Sequence, residues 1–439
     1  MIDLGEAGAP AGPGVPRRWS PPGRTGRWLL ALTAVLSLLP GGAAPGRPAQ
    51  LVALLRVPAG PLGGYALGGG RLVVDAGGTV RAYRVADHTP LWSVPAPGPV
   101  ARFTLVGAAG VVLCGWGTPA GDGGTVSAYD LATGAPLWAG PGGRYQPVGD
   151  SGTALRPEPG PAGGTRVVSV DLRTGAQRWL IAADARTTIH LAGAYPAGTV
   201  PARLAVYTAP GRLTVYDAVS GRPVATGQIG LSDVDTTVGT ARPDIVLGVY
   251  LAGTELMVVA GTAVRPPAGG FGYVLRGYDA DTLVPRWLVP VAVAGGVVAD
   301  CAPVLCWSVG ATVTGIDPAR GPLWTRPGGV AQPLAADRIL VTDLPGEDGR
   351  VLDAGTGATL LRLGRTSVLV GRWSTAALVS RTEPGPATAW FWLLDLAVPA
   401  LRPLARLAGV DGSRCALDAD TFACLDTAGQ VTVWRLRLR

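Results

Sequence analysis

YDLATGAPLW (129–138), VDLRTGAQRW (170–179), YDAVSGRPVA (216–225), YDADTLVPRW (278–287), IDPARGPLW (316–324) and LDAGTGATLL (352–361) are versions of one motif. LLDLA (393–397) continues it in weaker form. The aspartates at its head are Asp130, Asp171, Asp217, Asp279, Asp317, Asp353 and Asp395, with successive spacings of 41, 46, 62, 38, 36 and 42 residues. A period near forty, made of short strands, is the signature of a β-propeller.

The motif has a mechanical reading. A strand ends at the aspartate, whose carboxylate accepts N–H bonds from the turn that follows. Thr133, Thr174 and Thr356, three positions on, add a hydroxyl. Gly134, Gly175, Gly221 and Gly357 come next and supply the positive φ of a tight, bulged hairpin. Trp138 and Trp179, eight positions after their aspartates, are large apolar wedges, and Trp92, Trp287 and Trp324 take the same part. Each such ring buries roughly 150–250 Å² against a neighbour. An apolar run such as GVVLCGW (110–116) or RLAVYTA (203–209) precedes each motif and reads as a second strand, with a shorter innermost strand before it. The expectation is an all-β chain folded as a single propeller of four-stranded blades.

Two weaker units flank the seven. One is RLVVDAGGTVRAYRVADHTPLW (71–92), with Arg84 in the aspartate's place. The other is FACLDTAGQVTVWRLRLR (422–439), with Arg435 there. Propellers close by joining strands from both chain ends. Merging these two units into one composite blade predicts eight blades, with seven or nine left open.

Composition agrees with many strands and tight turns. The chain has 439 residues, 48% of them apolar and 15% charged, which is enough to bury a large core. Its 66 Gly and 40 Pro do not form one tract; they punctuate Val-, Leu- and Ala-rich runs. The formal charge is +7, carried on the basic side by arginine alone. No run of five basic residues occurs, so nucleic acid is not an expected partner. The two histidines, His88 and His190, fall on different repeats, which disfavours a His-based metal site or a Ser-His-Asp arrangement.

The N-terminus predicts export. Residues 1–27 read as a flexible cytoplasmic segment carrying Arg17, Arg18, Arg24 and Arg27. Residues 28–44, beginning WLLALTAVLSLL, read as one apolar helix. Its 17 positions lie between a signal core of about 7–15 residues and a span of about 17–25. The arginines before it place the N-terminus inside. The expected localisation is therefore the cytoplasmic membrane, single-pass, with the propeller outside; secretion after cleavage near Ala44 is the alternative. Residues 45–59 read as a linker or first closing strand, and 60–439 as the propeller. Outside the cytoplasm, Cys301 with Cys306 and Cys415 with Cys424 are candidate structural disulfides across hairpins. Cys114 in VLCGW aligns with Cys306 in VLCW and is left unpaired.

The D-x-x-T-G-x-x-x-W pattern resembles the repeat of the PQQ-like, or quinoprotein-type, β-propellers over about residues 60–439. The resemblance implies either a quinone- and calcium-dependent dehydrogenase or a cofactor-free scaffold or sensor. This chain departs from the enzymes: it has no adjacent Cys-Cys pair and no Cys-x-x-Cys-His motif. The repeat residues Asp130, Gly134, Trp138, Asp171, Gly175, Trp179, Asp217, Gly221, Asp279, Trp287, Asp317, Trp324, Asp353 and Gly357 are structural in that family. The expectation is thus a non-catalytic exported binding or scaffold propeller, with no catalytic residues and neither pyrroloquinoline quinone nor calcium. Its partners would be the membrane, through the N-terminal helix, and an extracytoplasmic protein or cell-envelope component. Gly/Pro-rich loops at 118–124, 156–164, 262–272 and 381–387 would do the recognising. The alternative is a quinoprotein-type, PQQ-dependent dehydrogenase.

Overall fold

Runs of β-branched and aliphatic residues, stopped at regular intervals by Asp, Gly and Pro, fold into four-stranded antiparallel sheets. The computed structural model describes residues 50–437, less 61–63, 99, 118–123, 161–163, 184–186, 191–201, 209–210, 230–240, 253–254, 263–271, 292–295, 336, 343–347, 366, 373–374 and 384–387. Nine sheets of four strands are present. Naming strands a to d from inside outward, blade 1 is Tyr65–Gly68, Arg71–Asp75, Thr79–Arg84 and Pro90–Pro95. Blades 2 to 8 follow, with strands d ending at Pro141, Ala182, Gln228, Val291, Pro327, Arg365 and Ala408. Blade 9 has Val410–Asp418, Thr421–Asp426 and Gln430–Arg437 as strands a to c. Its outer strand is Gln50–Pro58, from the start of the propeller, paired antiparallel with Gln430–Arg437. The inner strand of blade 9 touches those of blades 8 and 1, which closes the ring.

The expected count of eight is therefore corrected to nine. The reason lies in the closure. Residues 50–58 supply the fourth strand of the last blade, so the first weak unit keeps all four of its own strands and the two units do not merge. That unit lacks the motif aspartate but rebuilds the turn with other residues. Asp87 accepts from the Thr89 N–H at 3.2 Å and from Arg84 at 2.9 Å. His88 takes the glycine position with φ 62°. The apolar helix expected at 28–44 lies outside the described residues. Among the described residues the only helical turn is a 3₁₀ turn at Gly107–Ala109, and no helix is long and apolar enough to cross a membrane.

The core is a series of apolar layers between adjacent blades. One holds Leu213, Val249, Leu256 and Val274 of blades 4 and 5. The next holds Met257, Leu275, Leu305 and Ile316 of blades 5 and 6. Alternate residues along each strand thus face opposite neighbours, so most strands b are buried on both sides. Proline occupies the outer strands at Pro90, Pro95, Pro136, Pro141, Pro223, Pro290 and Pro327, where a missing N–H costs no ladder bond and discourages edge-to-edge pairing.

The tryptophans act between blades. Trp138 of blade 2 donates its indole N–H to the Leu172 carbonyl in the turn of blade 3, at 2.8 Å. Its ring covers Gly175, where an added Cβ would lie 2.7 Å from it. Trp92 covers Gly134, Trp179 covers Gly221 and Trp324 covers Gly357 in the same way, at 2.6, 2.4 and 2.6 Å. Glycine is therefore required twice over, for its φ of 66–73° and for the space the neighbour's indole occupies. Within a blade the tryptophan also faces a small residue on strand c: Ala82, Ala128, Ser169, Gly277 or Gly315.

Candidate functional site

The seven motif aspartates all end strand c, so they lie on one face of the ring, together with the a–b turns. Each uses one oxygen inside its own turn. Asp130 Oδ1 accepts the N–H of Ala132, the N–H of Thr133 and the Thr133 hydroxyl, each at 3.0 Å. Asp279 Oδ1 accepts the N–H groups of Asp281 and Thr282 and the Thr282 hydroxyl, at 3.1, 2.8 and 2.8 Å. Asp317 and Asp395 take two backbone N–H bonds each.

The second oxygen is claimed by arginine in six of the seven. Arg173 reaches Asp130 from the next blade; Arg178 and Arg402 reach Asp171 and Asp395 from strand d; Arg203 and Arg338 reach Asp217 and Asp353 from strand b. Arg286 bridges Asp279 and Glu255. The Arg178 hydrogen bond holds Asp171 down to about 2. The hydrogen bond from Arg173, followed by that from Thr133, lowers Asp130. These partly solvated ion pairs are each worth only about 0–1 kcal/mol. Their importance is geometric: each of these six carboxylates accepts turn donors on one oxygen and an arginine on the other.

Glu255 is the exception in character. It begins strand b of blade 5, opposite Asp279, where blades 4 and 7 carry Arg203 and Arg338. It is 1% exposed, and Arg286 donates to Oε2 at 3.0 Å. Burial raises its carboxyl to about 7 against the opposing pull of Arg286. It packs beside Trp287 beneath the motif turn, as the tight approach of Gly277 to both side chains shows.

The cysteines lie on strands a and b. Cys301 and Cys306 are bonded within the blade 6 hairpin, with Cα atoms 5.8 Å apart. Cys415 and Cys424 stand directly opposite on blade 9 and are bonded, with Cα atoms 4.1 Å apart. Cys114 is free and buried, and burial raises its thiol far above the ordinary range. Its alignment with Cys306 is off by one residue. Cys114 pairs with Ser127, three before its aspartate, and Cys306 with Gly315, two before its own. The two thiols therefore face opposite neighbours.

His88 and His190 stay apart, in blades 1 and 4. Among the described residues no group of three or more His, Cys, Asp or Glu could hold a metal ion. Most of the four Gly/Pro-rich loop stretches falls outside the described residues; the strand ends that flank them lie on the face opposite the motif turns. A cleft of about 500 Å³ opens between the outer strands of blades 8 and 9, lined by Leu54, Leu55, Arg56, Arg406, Leu407 and Trp434. The signal that sequence reading missed is a pair of tryptophans on strand c of blade 8, Trp390 and Trp392, stacked with centroids 6.3 Å apart.

No family model matches the chain, and no curated protein matches it. Solved structures do. A eukaryotic initiation factor is 13% identical, over 83% of this chain and 89% of that one, with a TM-score of 0.50. The C-terminal WD40 domain of Sif2 is 10% identical over 90% and 100%, TM-score 0.47. BamB from Moraxella catarrhalis is 14% identical over 88% and 99%, TM-score 0.41. At these identities the likeness concerns fold alone. The class of the protein is that of the β-propellers, in a nine-bladed form.

Proposed function

We propose that the chain is an exported propeller, anchored at the cytoplasmic membrane by residues 28–44, that works as a binding scaffold and not as an enzyme. We place its repeats with the PQQ-like type, on the strength of the aspartate turn and of the tryptophan laid on the next blade's glycine. The observation that carries the scaffold reading is that six of the seven repeat carboxylates already hold turn donors on one oxygen and an arginine on the other. Groups already holding two or three turn donors and an arginine have little capacity left for substrate or metal. Rigid blades with loops gathered on one face suit recognition. Bonded cysteine pairs in two hairpins suit an oxidising compartment.

The test is titration of the purified full chain with pyrroloquinoline quinone and calcium, followed by absorbance. The expected result is no stoichiometric binding. Stoichiometric binding would overturn the scaffold reading in favour of the dehydrogenase. Mass spectrometry of the mature N-terminus tests the anchor, which a start at Pro45 would refute.

A further inference from the structure

Blade 8 departs from the other repeats at two neighbouring positions. Five and three residues before the motif aspartate, blade 2 has Thr125 and Ser127, blade 4 has Arg212 and Thr214, and blade 6 has Thr312 and Thr314. Blade 8 has Trp390 and Trp392. No other blade has an aromatic residue at either position; the others hold polar side chains, or the buried Val168 and Val274 of blades 3 and 5, on the side of the sheet turned to the preceding blade, where blade 8 carries two partly buried indoles.

That side of blade 8 is divided. Toward the motif turns, Ala377, Leu394 and Leu401 pack with Leu334, Leu340 and Leu361 of blade 7. Toward the opposite face the packing gives way to a row of charged and aromatic groups. Trp392 stacks on Trp390 at 6.3 Å with the planes 20° apart. The Arg406 guanidinium lies over the Trp390 ring, 5.3 Å from its centroid. Trp390 donates its indole N–H to Glu383 at 2.7 Å, and Arg406 approaches the same carboxylate at 3.6 Å. Arg381, exposed, stands opposite Trp390 on strand b. Arg406 and Glu383 keep 58% and 40% of their side-chain surface in water.

Packing leaves part of each indole uncovered, and the charged groups around them stay open to water. It has the chemistry that binds sugars. Indole faces take the C–H side of a pyranose ring, and planar arginine and carboxylate groups at the rim bond hydroxyls and acidic substituents. The row Arg406, Trp390, Trp392 runs along the sheet, which suits a chain of sugars better than one small ligand. Two arginines against one glutamate favour a polymer with negative charge. We propose that this row on blade 8 is a binding platform for an acidic polysaccharide. The inference deepens the scaffold reading by giving it a partner class. The two fail separately: loss of the anchor leaves this binding intact, and loss of this binding leaves localisation unchanged.

The test uses the purified full chain, oligogalacturonate as the acidic probe and a cello-oligosaccharide as the neutral one, by calorimetry at low and high salt. The acidic probe is expected to bind, and to bind more weakly as salt rises. Trp392→Thr is expected to weaken it roughly tenfold. Arg381→Ala is expected to weaken it and flatten the salt dependence. An unchanged melting temperature qualifies each variant; should Trp392→Thr fail to fold, the exposed Arg381→Ala decides alone. No binding of either probe, equal binding of both, or undiminished acidic binding in the folded variants would each overturn the proposal.

Discussion

The interface between blades 3 and 4 and the one between blades 4 and 5 solve the same packing problem with bulk on opposite sides. At the first, Trp179 of blade 3 reaches across, covers Gly221 and bonds the Val219 carbonyl at 3.1 Å. At the second, the tryptophan position is Ala225 and the glycine position is Leu283, which holds φ 56°. Leu283 leans back over blade 4, its Cδ1 3.2 Å from where a Cβ on Gly227 would stand, and packs onto the core of blades 4 and 5. Where the tryptophan is lost the glycine is lost with it, and the leucine fills the vacated space at the cost of a left-handed residue, roughly 1–2 kcal/mol. The motif is thus completed between repeats, each blade's wedge needing the next blade's gap.

The comparison can be broken most strongly at the first interface. Gly221→Ala puts a Cβ 2.4 Å from Trp179 at φ 69°, and is expected to cost about 2–4 kcal/mol, read as a fall in melting temperature. A loss under 0.5 kcal/mol would show that the ring simply moves aside. At the second interface, Ala225→Trp alone is expected to cost about 1–3 kcal/mol by meeting Leu283. The double variant Ala225→Trp with Leu283→Gly should recover most of it, because it rebuilds the blade 3–4 arrangement. Additive losses in that cycle would mean that the two positions are independent.

The seam that closes the ring has no tryptophan–glycine pair and relies on other devices. Phe391 meets Phe422 at a tilt with centroids 5.5 Å apart, Phe422 stacks on Trp434 at 5.0 Å, and Cys415–Cys424 ties strands a and b. Opening this bond by Cys415→Ala with Cys424→Ala is expected to cost about 2–3 kcal/mol for its nine-residue separation. Alkylation of the unreduced, unfolded wild-type chain should label Cys114 alone; five labelled thiols would remove both bonds from the account.

The smallest effect sharpens blade 5 against blades 4 and 7, which carry arginine where it carries Glu255. Between the ordinary carboxylate range and about 7 the folded chain keeps a proton on Glu255 that the unfolded chain has released. Its contribution is therefore fully present in acid and lost as pH rises through that window. Glu255→Gln should flatten this part of the stability profile and stabilise the chain at pH 8 by about 1–2 kcal/mol. An unchanged slope between pH 5 and 8 would show that Arg286 holds the carboxylate ionised throughout.

Much of this architecture is legible along the chain. Asp130, Thr133 and Gly134 make their turn with neighbours three or four residues away, so local chemistry alone specifies it. Repetition of that turn near every forty residues then commits the chain to stacked β-hairpins. The number of blades is a different kind of property. It depends on whether Gln50–Pro58 pairs with Gln430–Arg437 or leaves the first unit to do so, a choice between contacts more than 370 residues apart. The partner of each tryptophan, the exchange of bulk at Ala225 and Leu283, and the facing of Cys114 were settled the same way, by what the neighbouring blade had room for. So was the row on blade 8: in sequence TAWFWLLD reads as one more apolar strand, and only the sheet register sets Trp390 and Trp392 beside Glu383 and Arg406. Local hydrogen bonding determined the repeat, and space left between repeats determined how many there are and what they expose.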